Sequence, residues 1–250
     1  MKKKSLIMLV CALMIVSSVA FGTIAYLTDR AGVTNKFTIG NVDIVVDETE
    51  VDENGNPVPD PEYDPANPTP EHPDPNKRTE EENEYPLIPG SSYTKDPTLT
   101  VKAGSEESYV RMVVTITNAA EVKAVFEELK AMYPEKYPNG FEPAAHVDGY
   151  DATVWPLYAT TENTVLNTMT LEFRYPTPVT AGEEDVRLPA LFTTLNVPGE
   201  LTYSQLQQLT GLAIEVNGHA IQTTGFETAD EAWTAFDAQM VAEGNVTTQP

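Results

Sequence analysis

The chain has 250 residues, and 41% of them are hydrophobic, enough for one large domain with a real core. Its 38 acidic and 15 basic side chains leave a formal charge of −23. A surface of that sign repels nucleic-acid phosphates and anionic lipid, which excludes nucleic-acid binding as a function class. It attracts divalent cations and cationic wall components instead.

The first residues read as an export signal. Lys2, Lys3 and Lys4 form a basic start, and Leu6 to Ala20 is an apolar run broken only by Ser17 and Ser18. A bilayer span takes about 20 apolar residues, so this shorter run reads as a secretory h-region rather than an anchor. Thr23 and Ala25 supply the small side chains that a signal peptidase needs at the −3 and −1 positions. The expected cut follows Ala25, leaving Tyr26 first and a single domain over residues 26–250. An uncleaved N-terminal anchor is the alternative. The only cysteine, Cys11, lies inside the apolar run, so the processed chain has no thiol, disulfide or cysteine metal site. Without the three lysines it carries 12 basic and 38 acidic side chains, a balance of −26. The polar end, Asn245 to Pro250, reads as free of any membrane tail or sorting motif.

Residues 26–36 read as a flexible tail, and Phe37 to Glu48 as the first strand. Residues 47–85 hold 14 acidic and two basic side chains with eight prolines. Proline removes donors and biases the residue before it toward extended backbone. With so little to bury, the segment is expected to be a disordered acidic insertion. Leu99 and Val101 mark a short strand. Tyr109 to Asn118 alternates over ten residues and is expected to be central. Asn118 to Glu121 reads as a capping box for a helix that Pro134 and Pro138 end. Ala152 to Ala159, interrupted by Pro156, reads as an edge strand, and Asn167 to Tyr175 as another strand. Leu188 to Val197 leads into Pro198-Gly199. Thr202 to Gln205 is a second capping box, with Leu201 and Leu206 at the staple positions. Leu212, Ile214 and Val216 form a strand, with a turn expected at Asn217-Gly218. Thr228 to Glu231 caps a last helix carrying Trp233, Phe236 and Met240. Short strands interrupted by helices predict a mainly β fold, a jelly-roll-like sandwich with helices in the connections.

Two stretches near the start carry a family resemblance. Gly22-Thr23-Ile24-Ala25-Tyr26-Leu27-Thr28-Asp29, followed by Asn35-Lys36-Phe37-Thr38-Ile39-Gly40-Asn41-Val42, resembles the signal of proteins processed by a SipW-type signal peptidase. It is similar to the TasA/camelysin family of Gram-positive bacteria, whose pattern runs roughly G-T-x-A-[YF]-[FL]-[TN]-D, then N-x-F-x-x-G-x-[VL]. Phe21 stands where the family often has a second Gly. Weaker likenesses lie at Leu87 to Gly90, Lys95 to Asn118 and Ala220 to Phe226 with Ala232-Trp233. The resemblance implies a β-sandwich and a secreted protein of the biofilm matrix or cell surface, with self-association into fibres or binding to matrix and cell-wall components.

Candidate chemistry is sparse. Glu50 to Asn56 resembles the front of an EF-hand loop, but Glu50 and Pro61 stand where the first and last ligands belong. A hairpin turn at Asn54-Gly55 explains the same residues. The histidines, His72, His146 and His219, form no H-E-x-x-H, although camelysin-like relatives are described as metallopeptidases. No G-x-S-x-G, P-loop or dinucleotide fingerprint is present. Tyr109, Tyr175, Trp155 and Trp233 read as core before they read as a sugar platform. The sequence therefore predicts a non-enzymatic protein with no cofactor and no metal site. Its functional residues are the cleavage site, Thr23, Ala25 and Tyr26, and a strand-donor segment with Tyr26, Leu27, Thr28, Asp29 and Phe37. That segment has no partner legible in the sequence, and strand addition to a second copy is the role expected of it. A monomeric surface-binding module is the alternative.

Overall fold

A computed structural model describes residues 28–31, 37–39, 42–69 and 72–242. Strands β1 (Thr28–Ala31), β2 (Phe37–Ile39), β3 (Ile44–Thr49), β4 (Arg78–Thr79), β5 (Ser92–Thr94), β6 (Thr98–Val101) and β7 (Ser108–Thr117) precede helix α1 (Ala119–Met132). A 3₁₀ turn at Pro143–His146 leads into β8 (Val147–Asp148), β9 (Leu157–Asn163), β10 (Thr168–Arg174), β11 (Val186–Arg187) and β12 (Thr194–Asn196). Helix α2 (Tyr203–Gln208), strand β13 (Ile214–Gln222) and helix α3 (Ala229–Ala242) follow. The strands form three antiparallel sheets, so the fold is mainly β as expected. Their orders are β2-β1-β13-β7-β10-β9, β11-β6-β3-β4 and β5-β12-β8.

The alternation in β7 sets the core. Val110, Met112, Val114 and Ile116 are buried on its inner face, and Met169, Leu171 and Phe173 continue that face on β10. β7 lies between β13 and β10, the central place its sequence suggests. The smaller sheet containing β3 and β6 packs over the same face, bringing Ile44 and Leu99 into one core with β7. The outer face carries Arg111, whose guanidinium lies 4.4 Å from the Trp233 ring and 5.0 Å from that of Phe236 on α3. Arg111 donates to Asp237, to Glu172 at 3.3 Å and to His219 Nδ1 at 3.1 Å. A buried guanidinium is tolerable when carboxylates and ring faces surround it, and this set latches α3 to the sheet.

Several elements differ from expectation. Phe37 to Glu48 is not one strand: its ends belong to two sheets, β2 in the large one and β3 in the four-stranded one. Trp155 is not in an edge strand either. It precedes β9, is fully buried and donates Nε1–H to the Pro189 carbonyl at 2.8 Å. Asn118 does not cap α1, because its φ of 51° places it in the left-handed region and its side chain makes no cap bond. The cap comes from Asn167 across the fold. Its Oδ1 accepts from Ala120 N–H at 2.8 Å, and its Nδ2 donates to Glu121 at 2.6 Å. The expected box at Thr202 and Gln205 is present in full. At the last helix Thr228 accepts from Glu231 N–H at 3.2 Å, while Glu231 reaches back to Glu227 N–H at 2.9 Å.

The disorder expected over 47–85 is not what the described residues of that segment show. Asp52, Asp60, Asp64 and Asp74 each accept a backbone N–H two residues on, at 2.9–3.1 Å, which closes a local turn. Asp52 also accepts from Asn56 N–H, fixing the Asn54-Gly55 turn against the Tyr93 ring. Arg78 then ties the segment to the core. Its side chain is 7% exposed and donates to Asp47 at 2.7 Å, to Asp96 at 2.5 Å and to Thr49 at 3.0 Å. Burial alone would lower its pKa, but the Asp47 and Asp96 charges outweigh that and raise it. Lys95 pairs with Glu48 at 2.7 Å, and Asn83 bridges Glu48 Oε1 and the Thr49 carbonyl. Ion pairs and Asx turns replace the apolar burial that the composition lacks.

Candidate assembly interface at the N-terminal strand

β13 is the strand on which this interface is built. It pairs with β7 along its whole length, from Ile214 opposite Ile116 to Gln222 opposite Ser108. The turn expected at Asn217-Gly218 is absent, and the strand runs straight through it. The glycine serves a different need. A Cβ on Gly218 would overlap Val46 Cγ2 and lie 3.0 Å from Leu99 Cδ1, so the second layer approaches the backbone here.

Among the described residues the other edge of β13 is only partly covered. β1 pairs with it in antiparallel register, Thr28 opposite Ile221 and Ala31 opposite Gly218. β2 pairs outside β1, with Phe37 opposite Arg30. Among the described residues no strand pairs with this edge at 214–217. A strand edge presents a row of unpaired N–H and C=O groups and is a template for another chain. Beside the uncovered half lies a cleft of about 440 Å³, lined by Ile214, Glu215 and Val216 on one side and by Asp47, Glu48 and Glu80 to Glu84 on the other. Lys95 is its one basic lining residue, and it is paired with Glu48.

The residues expected to carry function fall as follows. Thr23, Ala25, Tyr26 and Leu27 lie outside the described residues. Thr28 and Asp29 lie in β1, and Phe37 in β2. Residues 28–31 therefore form a strand, where a flexible tail was expected, and they have a partner within the same chain. That partner is far away in sequence.

The rival chemistries meet structural settings. His72 lies 2.7 Å from Asp60 and 3.2 Å from Glu62. Its hydrogen bond, with that from Glu62 N–H, holds the Asp60 carboxyl below its ordinary range. His219 lies 4.9 Å from the Phe236 ring under α3. His146 sits among Phe126, Phe141 and Tyr137, with ring centroids at 4.6, 6.0 and 6.4 Å. Among the described residues no group of three or more His, Cys, Asp or Glu is arranged to hold a metal ion. Trp155 and Trp233 are buried in the core, with 0% and 1% exposure.

Burial, with a smaller push from the Lys136 charge, lowers the His146 pKa to about 4, while Glu142 opposes the shift. The folded state thus favours the neutral ring. Its contribution is complete above the unfolded value of about 6.5 and is lost as pH falls from there toward 4. His146→Phe should flatten the acid side of the stability curve by an amount on the order of 1 kcal/mol. Urea melts of both proteins between pH 7 and pH 4 measure this, and parallel curves would refute the assignment.

Comparison with protein-family models, curated proteins and solved structures returns no match. The chain is placed by its own architecture, a mainly β protein of three antiparallel sheets in which, among the described residues, one half of a β13 edge has no strand beside it.

Proposed function

We propose that this is an exported structural protein of the extracellular matrix or cell surface, whose copies join by strand addition through the segment after Ala25. The observation that carries the reading is the partial cover of β13. A four-residue strand from the chain's start occupies one half of the edge, and the described strands leave 214–217 free. A longer donor in the same register would cover four more residues, and main-chain hydrogen bonds would supply its affinity. In one chain the donor folds back on its own β13. Exchanged between copies, the same pairing is head-to-tail and does not close, which builds a filament. Charge favours the exchange. Residues 26–37 carry Arg30 and Lys36 against Asp29 alone, a basic balance in a strongly acidic chain, and the free half-edge adjoins the carboxylate cleft. Export through a SipW-type signal peptidase and the jelly-roll topology belong to the same proposal, as the family resemblance implies.

The test compares chains 26–250 and 38–250 by electron microscopy after purification. Fibres should form from the first and be lost from the second; equal assembly by both, or by neither, sinks the mechanism. The pairing of β1 within its own chain favours a second reading, a monomeric surface-binding module. Light scattering separates them, since the module keeps its monomer mass as concentration rises.

A further inference from the structure

A cavity of about 390 Å³ lies between the large sheet and the elements over it. One wall is the inner face of β7 and β10 at Val114, Ile116, Met169 and Leu171; the other includes Phe126 of α1 and Phe141. At the roughly 30 Å³ that a water takes in the liquid, it has room for at least about a dozen non-hydrogen atoms. The exposed lining residues are Leu87, Glu142 and Ala144 at the 3₁₀ turn, and Leu157 and Thr160 on β9; four of these five put a mouth between the turn and β9. Binding sites for small organic molecules are of this size and this apolar character.

We infer that this cavity is a binding site for one uncharged, hydrocarbon-rich small molecule of the long-chain alcohol or terpenoid kind. Size and lining argue for a ligand: walls of apolar side chains gain little from water and forfeit dispersion contacts when nothing fills the space. Charge decides the class. Among the described residues no lysine or arginine lines the cavity, so a carboxylate or phosphate head finds no partner among them. Three of its polar side chains are already engaged. Tyr150 donates to the Trp155 carbonyl at 3.0 Å, Asn196 donates to Asp148 and accepts from Ser92, and Glu142 accepts from Asn139 at 2.8 Å. His146 is neutral at pH 7, since burial lowers its pKa to about 4. An acidic chain whose apolar cavity carries a carboxylate, Glu142, at its mouth selects against fatty acids and in favour of neutral molecules. Leu87, Leu195, Leu212 and Ile214 line both this cavity and the cleft beside β13, but the proposal rests on the cavity's apolar lining and not on polymerisation.

The test titrates chain 26–250, which keeps every described residue, with the neutral dye N-phenyl-1-naphthylamine. Saturable one-to-one fluorescence gain is expected, displaced by 1-dodecanol or farnesol at concentrations at least tenfold below those of dodecanoate at pH 7.5. Ala144→Trp narrows the mouth from an exposed position and should weaken dye binding tenfold or more with an unchanged melting temperature. Leu171→Phe, which fills the cavity from inside, should do the same, while Val165→Trp at the distant hairpin tip should change nothing. No saturable binding, or equal binding by both cavity variants in folded form, would overturn the proposal. So would equal displacement by dodecanoate. Dye affinity that falls as dimers form would assign the cavity to a second copy of the chain and overturn it as well.

Discussion

Arg78→Ala is expected to lower the stability of the folded chain by about 3 kcal/mol, the cost of leaving two partly buried carboxylates without their main cation, with Arg187 at 3.3 Å left to serve Asp47 alone. The guanidinium is nearly buried, and it donates to two carboxylates, the Thr49 hydroxyl and the Asp47 and Asp96 carbonyls. Water cannot replace five donors in that geometry without opening the segment. Lysine should rescue little, because a single ammonium cannot serve Asp47 and Asp96 along two directions at once. Arg78→Ala combined with Asp47→Asn and Asp96→Asn should recover part of the loss, since the orphaned charges are then gone. Urea denaturation of the three proteins measures the effect, and a loss below about 1 kcal/mol for Arg78→Ala would show that the ion cluster is not buried in solution.

The second large effect is at Gly218. Gly218→Val should cost about 3 kcal/mol, at the upper end of what overpacking a tight core costs. Its branched side chain meets Val46 and Leu99, and Val46 is itself β-branched and cannot swing aside. Val46→Ala should open the space, so the double variant should be more stable than the sum of the two single losses by more than about 0.5 kcal/mol. Additive losses would mean that the two layers do not meet at this point.

These sites show what the sequence made legible. The inner face of β7, the strand at β10 and the capping box of α2 are written in neighbouring residues, and local periodicity suffices to read them. The cap of α1 is not, because Asn167 arrives from a hairpin tip and Asn118 points elsewhere, toward the Thr210 carbonyl at 3.0 Å. Gly218 follows an asparagine, and that dipeptide is a strong turn signal until the Val46 side chain above it is known. The 47–85 segment looked unable to fold because its apolar content is low. Its two basic residues among fourteen acidic ones were the available clue, as one of them is the buried Arg78. The candidate interface was legible as a segment but not as a pairing. Nothing near Thr28 announces Ile221, and only the folded sheet brings them opposite each other.

The stapled acidic segment has a consequence for durability. A proline-rich stretch on a protein surface is ordinarily where proteases nick first, since they need several residues drawn out straight. Here turns closed by Asp52, Asp60, Asp64 and Asp74 keep the backbone folded on itself, and Arg78 holds its far end against the core. A nick at one of those turns would leave both cut ends moored, so the sandwich would survive as a two-piece molecule. That is a form of wear resistance built from carboxylates instead of disulfides.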